Sequence, residues 1–267
     1  MALFGLGKKE TILTLKKVRP TVIRTQNVAK ELLSIASSYD VKVDTLDFNL
    51  LDVQTYIRMN DGSRETEWEE ITYDALYNLD EETQLLHPYF QIKQTYEIEI
   101  FSIDTDPFEK FKAAVGANAT KCKIYLSISA GSELTYSPRF EQDLLNFINK
   151  RKIRSGILIN IFDEMLQDAI SKINAYVKVE EQIKYEQNET YLIAQSYEPT
   201  ITTDDALLLH YDKKQKIDEH QKVDYAARGF IKSVMQDEVL IEYIKARAGK
   251  PGRNCRGEFM KPKEPET

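Results

Sequence analysis

Residues 155–179 constrain the fold of this chain more than any other segment. In SGILINIFDEMLQDAISKINAYVKV the apolar side chains recur at the spacing of an α-helix. They form one wide stripe, which comprises Ile157, Leu158, Ile161, Phe162, Met165, Leu166, Ala169, Ile170, Ile173 and Val177. A helix with so wide an apolar stripe has to pack against another layer, and the neighbouring sequence offers a sheet.

Strands for such a sheet are predicted on both sides of this helix. After it come three strand-like runs separated by turn residues, ETYLIAQSY, ALLLHYD and GFIKSV, and DEVLIEYIKA extends the series. Before it, KIYLSI alternates like a half-buried strand, and a helix begins at Ser137-Pro138 with Phe140, Leu144, Phe147 and Ile148 on one side. The predicted class is α+β, with helices covering antiparallel sheets in two small domains.

The N-terminal half has its own pattern of helix and strands. QNVAKELLSIASSYD predicts a helix, VKVDTLDFNLLDVQTYIRM predicts two strands before the turn NDGS, and KQTYEIEIFSID predicts another strand. Residues 63–92 are acidic and aromatic with weak periodicity, which indicates an irregular insertion. A short helix is predicted at 107–115, capped by Asp106, started by Pro107 and ended by Gly116.

The sequence favours a domain boundary at GANATK, residues 116–121. A chain of 267 residues is long enough for two domains with separate cores. The predicted organisation is an N-terminal α+β module at 1–117 with the acidic, aromatic insertion, a second α+β domain at 118–248, and a joint rich in Gly, Pro and Arg at 249–267.

Composition narrows the classes of partner and cofactor. The net charge of −7 argues against general affinity for nucleic acid or an anionic membrane, because both need a basic surface. The two cysteines and three histidines are scattered without metal-ligand spacing, so neither zinc nor another cofactor is expected. No apolar run approaches the length of a membrane span, and MALFGLGKK does not have the pattern of a secretory signal. Low cysteine use is typical of the reducing cytoplasm.

Side chains that suggest catalytic motifs have simpler structural interpretations. Asp104 and Asp106 lack the glycine and bidentate glutamate of a calcium loop, and Asp106 suits a helix cap. TDDA at 203–206 is typical of a turn, and SISAGSE lacks the Gly-x-Ser-x-Gly frame of a hydrolase. Two acids that meet only in space would still allow glycoside hydrolysis. Apart from that alternative, the sequence predicts that the chain is not an enzyme.

The stretch KARAGKPGRNCRGEFMKP, residues 245–262, concentrates Gly, Arg and a cysteine in an acidic chain. It has no Gly-Lys-Ser/Thr at the offset of a phosphate loop, and Pro251 removes one backbone donor that such a loop uses. Arg253 and Arg256 flank Cys255 and would favour its thiolate, yet no histidine signature accompanies it. We therefore expect Cys255 to be a surface-turn cysteine without a catalytic role.

The favoured interpretation of this stretch is a structural joint. Glycines permit backbone angles that other residues resist, proline stiffens the approach, and arginines reach carbonyls or carboxylates across the turn. The joint residues are Gly249, Pro251, Gly252 and Gly257. If the same turn binds an anion or a partner, the candidate binding residues are Lys250, Arg253 and Arg256.

Four ordered segments between residues 120 and 262 resemble a known family. KIYLSISAGSEL resembles its first core strand, and LLNFINKRKIRSGILINIFDEML resembles the helix, Gly-Ile turn and helix that follow. YLIAQSYEPTITTDDALLLHYD is similar to a glycine-patterned segment before a strand, and VDYAARGFIKSVMQDEVLIEYIKARAGKPGRNCRGEFM resembles the Pro-Gly-Arg segment most closely. The family is that of flagellar assembly protein A, a bacterial family with a conserved domain of unknown function.

The resemblance implies a cytoplasmic bacterial protein without known catalytic activity. Such a protein supports flagellar assembly and motility through protein partners, such as flagellar-assembly or cell-pole proteins. Family members continue past the Pro-Gly-Arg segment into a β-solenoid, so the resemblance implies that residues 249–267 would lead into it. It implies either that this chain is an N-terminal portion or that it is a natural form without the solenoid. The chain departs from the family where Ser196, Thr202 and Asp205 replace glycines and where Asn254 replaces aspartate.

An alternative function also follows from the sequence. The basic turn at 250–256 is compatible with a nucleic-acid or nucleotide-binding module, and residues 26–59 resemble the small module of RNA-binding Jag-type proteins. The oligomeric state is left open by the sequence.

Overall fold

The computed structural model describes residues 17–60, 66–72, 84–103, 108–210, 236–237 and 239–264. These residues contain three α-helices and thirteen β-strands, and the ladders are antiparallel. Helices pack on antiparallel sheets, so the predicted α+β class is confirmed. The predicted strand GFIKSV and the predicted cap at Asp106 and Pro107 lie outside the described residues.

The N-terminal sheet has the strand order β1-β4-β2-β3. Its strands are β1 (Thr21–Thr25), β2 (Leu46–Met59), β3 (Glu69–Ile71) and β4 (Phe90–Ser102). In β4 buried residues alternate with half-buried ones, because successive side chains of a strand point to opposite faces. The strand predicted from the alternation in KQTYEIEIFSID is therefore confirmed.

Strand β2 is a single strand of 14 residues where the sequence predicts two. It follows a 3-10 turn at Val43–Thr45. Its register against β4 shifts between Leu50 and Asp52, so Leu51 is the extra residue of a β-bulge. The prediction of two strands is wrong because the bulge absorbs the break in alternation without ending the strand.

Helix α1, Val28–Tyr39, confirms the first predicted helix. The Asn27 side chain caps it by accepting a hydrogen bond from the Lys30 N–H, and the helix ends at Asp40 with a left-handed φ of 55°. Its buried residues recur about once per helical turn and therefore lie on one face. That face shares a core with the sheet, formed by Val28, Leu32, Ala36, Leu46, Phe48, Tyr96, Ile98 and Ile100.

A second antiparallel sheet, ordered β5-β6-β9, supports the other two helices. Its strands are β5 (Ala113–Ala117), β6 (Lys123–Ile128) and β9 (Glu189–Gln195), while β7 (Glu133–Thr135) pairs with β8 (Gln182–Lys184). Helices α2 (Phe140–Arg154) and α3 (Glu164–Glu180) bury their apolar faces in one core with these strands. The helix-on-sheet packing predicted from the apolar stripe is confirmed.

The prediction of a helix at 107–115 is wrong. Phe108–Lys110 form a turn, and Ala113–Ala117 pair with β6 in the register Ala113↔Ile128. The segment GANATK contains the turn of this hairpin, where the side-chain Oδ1 of Asn118 accepts hydrogen bonds from the backbone N–H groups of Cys122 and Lys123. Cross-strand pairing outweighs the local capping signals. The predicted boundary at 117/118 lies in this turn, and the predicted domain limits remain a prediction.

The first third of the predicted helix at 155–179 is not helical. Residues 155–163 form a turn in which Asn160 and Phe162 have positive φ angles of 62° and 63°. Its apolar residues are nevertheless buried, apart from the half-buried Phe162. The Gln94 side chain of β4 holds the turn, donating to the Ile159 carbonyl at 2.7 Å and accepting from the Ile159 N–H at 3.0 Å. A side chain from another element thus replaces the helical hydrogen bonds.

A buried ion pair joins helix α2 to this turn. The fully buried Lys152 ammonium donates to the Asp163 carboxylate, whose other oxygen accepts from the Asn160 N–H at 2.8 Å. Burial lowers the pKa of Lys152 and raises the pKa of Asp163, while the attraction between the two charges opposes both shifts. Each charge therefore depends on the other to remain in the interior.

The chain divides into two compact units. The first runs to Glu198 and includes Arg253–Phe259, and the second comprises Pro199–Gly252 and the residues from Met260 onward. The second unit contains β10 (Ala206–Leu209) paired with β11 (Ile241–Ile244). Strands β12 (Gly252–Arg253) and β13 (Phe259–Met260) form a short ladder near the C-terminus. In the part of the chain described here, no helix has the length and apolarity needed to cross a membrane.

The substitution Asp163→Asn tests the buried ion pair. It keeps the shape of the side chain but leaves the Lys152 ammonium buried without an opposing charge. We expect the free energy of unfolding, measured by urea denaturation, to fall by about 3–5 kcal/mol. As a control, Glu97→Gln removes the partner of the exposed Arg24 and should change stability little. Equal losses in the two variants would contradict this account.

Candidate functional site

The candidate site is the C-terminal turn, residues 249–258. Its first part lies against Thr200 and Thr202 in the second unit. The Lys250 N–H donates to Thr200 Oγ1 at 2.6 Å, and the Gly249 N–H donates to Thr202 Oγ1 at 2.9 Å. A Cβ on Gly249 would lie 2.1 Å from the Thr200 carbonyl oxygen, so only glycine fits there. The Lys250 side chain itself is exposed.

Arg253 is buried at the centre of the turn, with only 1% of its surface exposed. Its backbone N–H donates to the Tyr197 carbonyl at 2.9 Å, which positions β12. The guanidinium donates to four backbone carbonyls at 2.5–3.1 Å, those of Leu85, His87, Phe90 and Gly257. Arg253 therefore fastens the turn to residues 85–90.

Backbone dipoles balance the charge of Arg253. Among the described residues no carboxylate pairs with its guanidinium, which lies 5.3 Å from the Phe90 ring centre and 5.8 Å from that of Phe259. Burial lowers the pKa of Arg253 to about 10, so the side chain remains protonated at neutral pH. The carbonyl oxygens and aromatic faces supply the compensating negative potential.

Asn254 organises the remainder of the turn. Its Oδ1 accepts hydrogen bonds from the Arg256 N–H at 2.9 Å and the Glu258 N–H at 3.1 Å. Its amide group donates to the Glu258 carboxylate at 2.7 Å, which an aspartate at this position could not do. An asparagine at position 254 therefore suits the acidic side chain of Glu258.

Gly257 closes the turn with a φ of +81°. A Cβ there would approach Ile92 Cγ2 to 2.6 Å, so both the backbone angle and the lack of space require glycine. Gly252 is buried and Pro251 half-buried on the approach. Gly249, Pro251, Gly252 and Gly257 thus occupy a tightly packed connection, and their role as a joint into a further domain remains a prediction.

The three side chains at the positions where the resemblance implies glycines all form hydrogen bonds. Ser196 is buried, and its hydroxyl donates to the Cys122 carbonyl at 3.3 Å. Thr202 Oγ1 accepts from the Gly249 N–H and donates to the Lys263 carbonyl. Asp205 accepts from the Tyr243 hydroxyl at 3.3 Å. Side-chain hydrogen bonds therefore organise these turns where glycines would rely on backbone freedom.

The expectation that Cys255 lies on a surface turn is wrong, because 1% of it is exposed. Its N–H donates to the Lys121 carbonyl, and its own carbonyl accepts from the Leu158 N–H, each at 2.9 Å. Its Sγ lies 3.5 Å from Ser196 Oγ. Burial raises the pKa of Cys255 to about 11 and outweighs nearby positive charge. The thiol is therefore protonated at neutral pH.

The structure separates the three basic residues that the sequence groups together. Lys250 and Arg256 are exposed, whereas the donors of Arg253 are used within the fold. The binding role predicted for the three remains a prediction. The sequence did not predict the structural roles of Asn254 and of the carbonyls of residues 85–90. An Asn two residues before an Arg-Gly turn is a recognisable signal for such a role, whereas backbone carbonyls leave no signal in the sequence. In the described ranges, no cluster of three or more His, Cys, Asp or Glu residues could hold a metal.

The substitution Arg253→Met tests the anchor. It keeps an unbranched apolar stem at this position but removes the donors from four carbonyls in or near the interior. Because each buried polar group without a partner costs about 1–3 kcal/mol, we expect the free energy of unfolding to fall by more than about 3 kcal/mol in urea denaturation. The exposed neighbour provides the control: Arg256→Met should change stability little, and similar losses in both would count against the anchor.

The burial of both cysteines predicts their reactivity. At pH 8 the Cys255 thiol is far below its pKa of about 11, and Cys122 is fully buried. We therefore expect no reaction with Ellman's reagent in the native protein and reaction of both thiols after unfolding in guanidinium chloride. Rapid reaction of either thiol in the native state would show that this region opens.

Comparison with known proteins places this chain in a family. A family model described as Flagellar Assembly Protein A N-terminal region matches residues 114–267, from strand β5 through the C-terminal turn. No curated protein and no solved structure was found to match. The family match covers more than half of the chain and includes every segment on which the resemblance rests. The chain therefore belongs to the flagellar assembly protein A family.

Proposed function

We propose that this chain is a non-enzymatic protein-interaction module that supports flagellar assembly and motility in the cytoplasm. The family supplies the process, since the matched region takes its name from flagellar assembly. One structural observation supports the mode of action. The second unit presents an exposed apolar β-hairpin, which we call the β10–β11 hairpin and which comprises Ala206–Leu209 and Ile241–Ile244.

The β10–β11 hairpin exposes apolar side chains on both of its faces. On one face lie Leu207 and Tyr243, which are cross-strand partners and are 64% and 60% exposed. On the other face lie Leu208 and Ile244, which are also exposed. Clustered apolar residues on a soluble protein mark sites where another macromolecule binds. A partner that covers this hairpin would remove these side chains from water.

The proposal that the chain is not an enzyme is supported by the chemistry of its buried polar groups. Cys255 is buried and protonated, which is the reverse of an activated nucleophile. Lys152 is fully buried and paired with Asp163, so both groups serve the interior. These groups act in the fold.

A nucleic-acid or nucleotide-binding role has less support. Of the three basic residues in the turn, Arg253 has its guanidinium bound to carbonyls. Lys250 and Arg256 are left as exposed cations. Two cations are a small electrostatic site in a chain of net charge −7.

Genetic complementation tests the proposed function. In a motile, flagellated host that encodes this protein, deletion of the gene should lower the number of flagella per cell and the swimming rate, and the wild-type gene should restore both. The variant Leu207→Asp/Tyr243→Asp should fail to restore them, because charges would oppose apolar contact at the hairpin. The control Val179→Asp changes a residue of α3 that is 79% exposed and should restore them fully.

Two outcomes would contradict the proposal. Normal flagellation after deletion would remove the link to flagellar assembly. Full rescue by the hairpin variant, with protein levels equal to wild type, would remove the hairpin as the interaction surface. The nucleic-acid alternative is tested with the variant Lys250→Glu/Arg256→Glu, which should restore flagellation as fully as the wild-type gene. If the wild-type protein instead binds RNA in a salt-dependent manner and this variant does not, nucleic-acid binding would be favoured.

A further inference from the structure

We propose that the folded chain forms an intramolecular amide between the side chains of Lys152 and Asp163, which ties the end of α2 to the start of α3. Such a bond between a lysine amine and a side-chain carboxyl is an isopeptide bond. The proposal goes beyond the proposed function and does not depend on it. It is carried by the contact between the two reacting groups, by their burial and by the backbone that positions Asp163.

The two groups that would react are in direct contact in the fold. The Lys152 ammonium donates to Asp163 Oδ1, and 0% of the Lys152 side chain and 13% of the Asp163 side chain are exposed. Holding two reactants together turns an encounter in solution into an intramolecular step, which corresponds to effective concentrations of about 10⁵–10⁸ M. Because the amide forms only once in each chain, a slow step is sufficient. The buried ion pair is then the reactant of this step.

The backbone around Asp163 directs its carboxylate at Lys152. Asp163 lies directly before the first residue of α3, where an aspartate commonly caps a helix, yet its side chain makes no capping hydrogen bond. Its Oδ2 instead accepts from the Asn160 N–H at 2.8 Å, in a turn where Asn160 and Phe162 have positive φ angles. A backbone donor on this oxygen stabilises the negative charge that develops there when an amine attacks the carboxyl carbon.

Burial favours the neutral, reactive forms of both groups. It lowers the pKa of Lys152 and raises the pKa of Asp163, while the opposite charge of the partner counteracts both shifts. A lysine amine becomes a nucleophile when it is removed from water in an apolar environment. The amide also replaces two buried charges by one neutral group, and it therefore removes the cost of keeping both charges out of water.

The reaction balances without an oxidant, a cofactor or a second substrate. One proton passes from the Lys152 ammonium to the Asp163 carboxylate along their hydrogen bond, which gives an amine and a carboxylic acid. The amine nitrogen Nζ then bonds to the carboxyl carbon Cγ. The bond from Cγ to the protonated oxygen breaks, and this oxygen leaves as water with a further proton from Nζ. Low exposure of the pair afterwards limits the reverse hydrolysis.

A second lysine–aspartate contact of the same helix provides an internal contrast. Lys150 Nζ donates to Asp47 Oδ2 at 2.6 Å, and Arg154 contacts the other oxygen of this carboxylate at 2.9 Å. The side chains of Lys150 and Asp47 are 22% and 26% exposed, so water reaches both groups and stabilises their charges. We therefore expect the amide at Lys152 and Asp163 and none at Lys150 and Asp47.

Mass spectrometry of the full chain, purified in the folded state and then denatured, tests the proposal. The mass of the wild type should be lower than the mass calculated from its sequence by one water. The variant Lys152→Arg keeps a cation at this position but has no lysine amine, so its mass should equal the calculated one. The matched control Lys150→Arg should keep the deficit of one water, because it changes only the exposed pair.

Peptide sequencing by fragmentation locates the bond in the wild type, whether or not the variants fold. Trypsin cuts after Arg154, so residues 152–154 and 155–172 should remain joined as one branched peptide with two N-termini, at Lys152 and Ser155. A wild-type mass equal to the calculated mass would overturn the proposal. A deficit that persists in Lys152→Arg, or separate peptides 152–154 and 155–172, would also overturn it, because the water would then have been lost elsewhere in the chain.

Discussion

The buried guanidinium of Arg253 is the contact that holds residues 253–257 against residues 85–90 in the first unit. It places a positive charge in the interior and binds four backbone carbonyls, three of which belong to residues 85–90. Since no carboxylate of the described residues pairs with it, this cation is stable there only if those carbonyls remain in place. Consequently the neighbours of Arg253 are confined as well. Cys255 bonds to backbone groups of Lys121 and Leu158, and Gly257 packs on Ile92 without room for a side chain.

Strand β4 connects this anchor to the rest of the first unit. Phe90 at its start accepts a hydrogen bond from Arg253, and Gln94 four residues later holds the backbone of Ile159 in both directions. The turn that contains Ile159 ends at Asp163, which forms the buried ion pair with Lys152 of α2. Polar groups thus link the two sheets through the interior, where an unmatched group is costly. The helix-and-strand patterns before and after residue 117 look independent in sequence, but these buried polar contacts join them in one compact unit.

The local sequence predicts those helices and strands whose apolar periodicity lies within the element itself. Helices α1 and α2 and strands β4, β6 and β9 follow from periodicity, and the α+β class and the family follow from their order. Prediction failed where a partner outside the segment decides the conformation. Residues 107–115 carry helix caps but form part of a hairpin with β6, and residues 155–163 carry a helical stripe but bend around Gln94. At the candidate site the glycines and the reach of the arginines were anticipated, whereas the burial of Arg253 and Cys255 was not.

The amino-acid sequence by itself determined the class of fold, most of its regular elements, the family, and the need for glycine in the C-terminal turn. Those properties depend on residue type and spacing along a few turns of chain. The tertiary structure alone decided that Arg253 is an internal anchor and that Lys152 and Asp163 are buried together. The partners of Arg253 are carbonyls as far as 168 residues away in sequence. Every residue carries a carbonyl, so only folding selects the ones that bind.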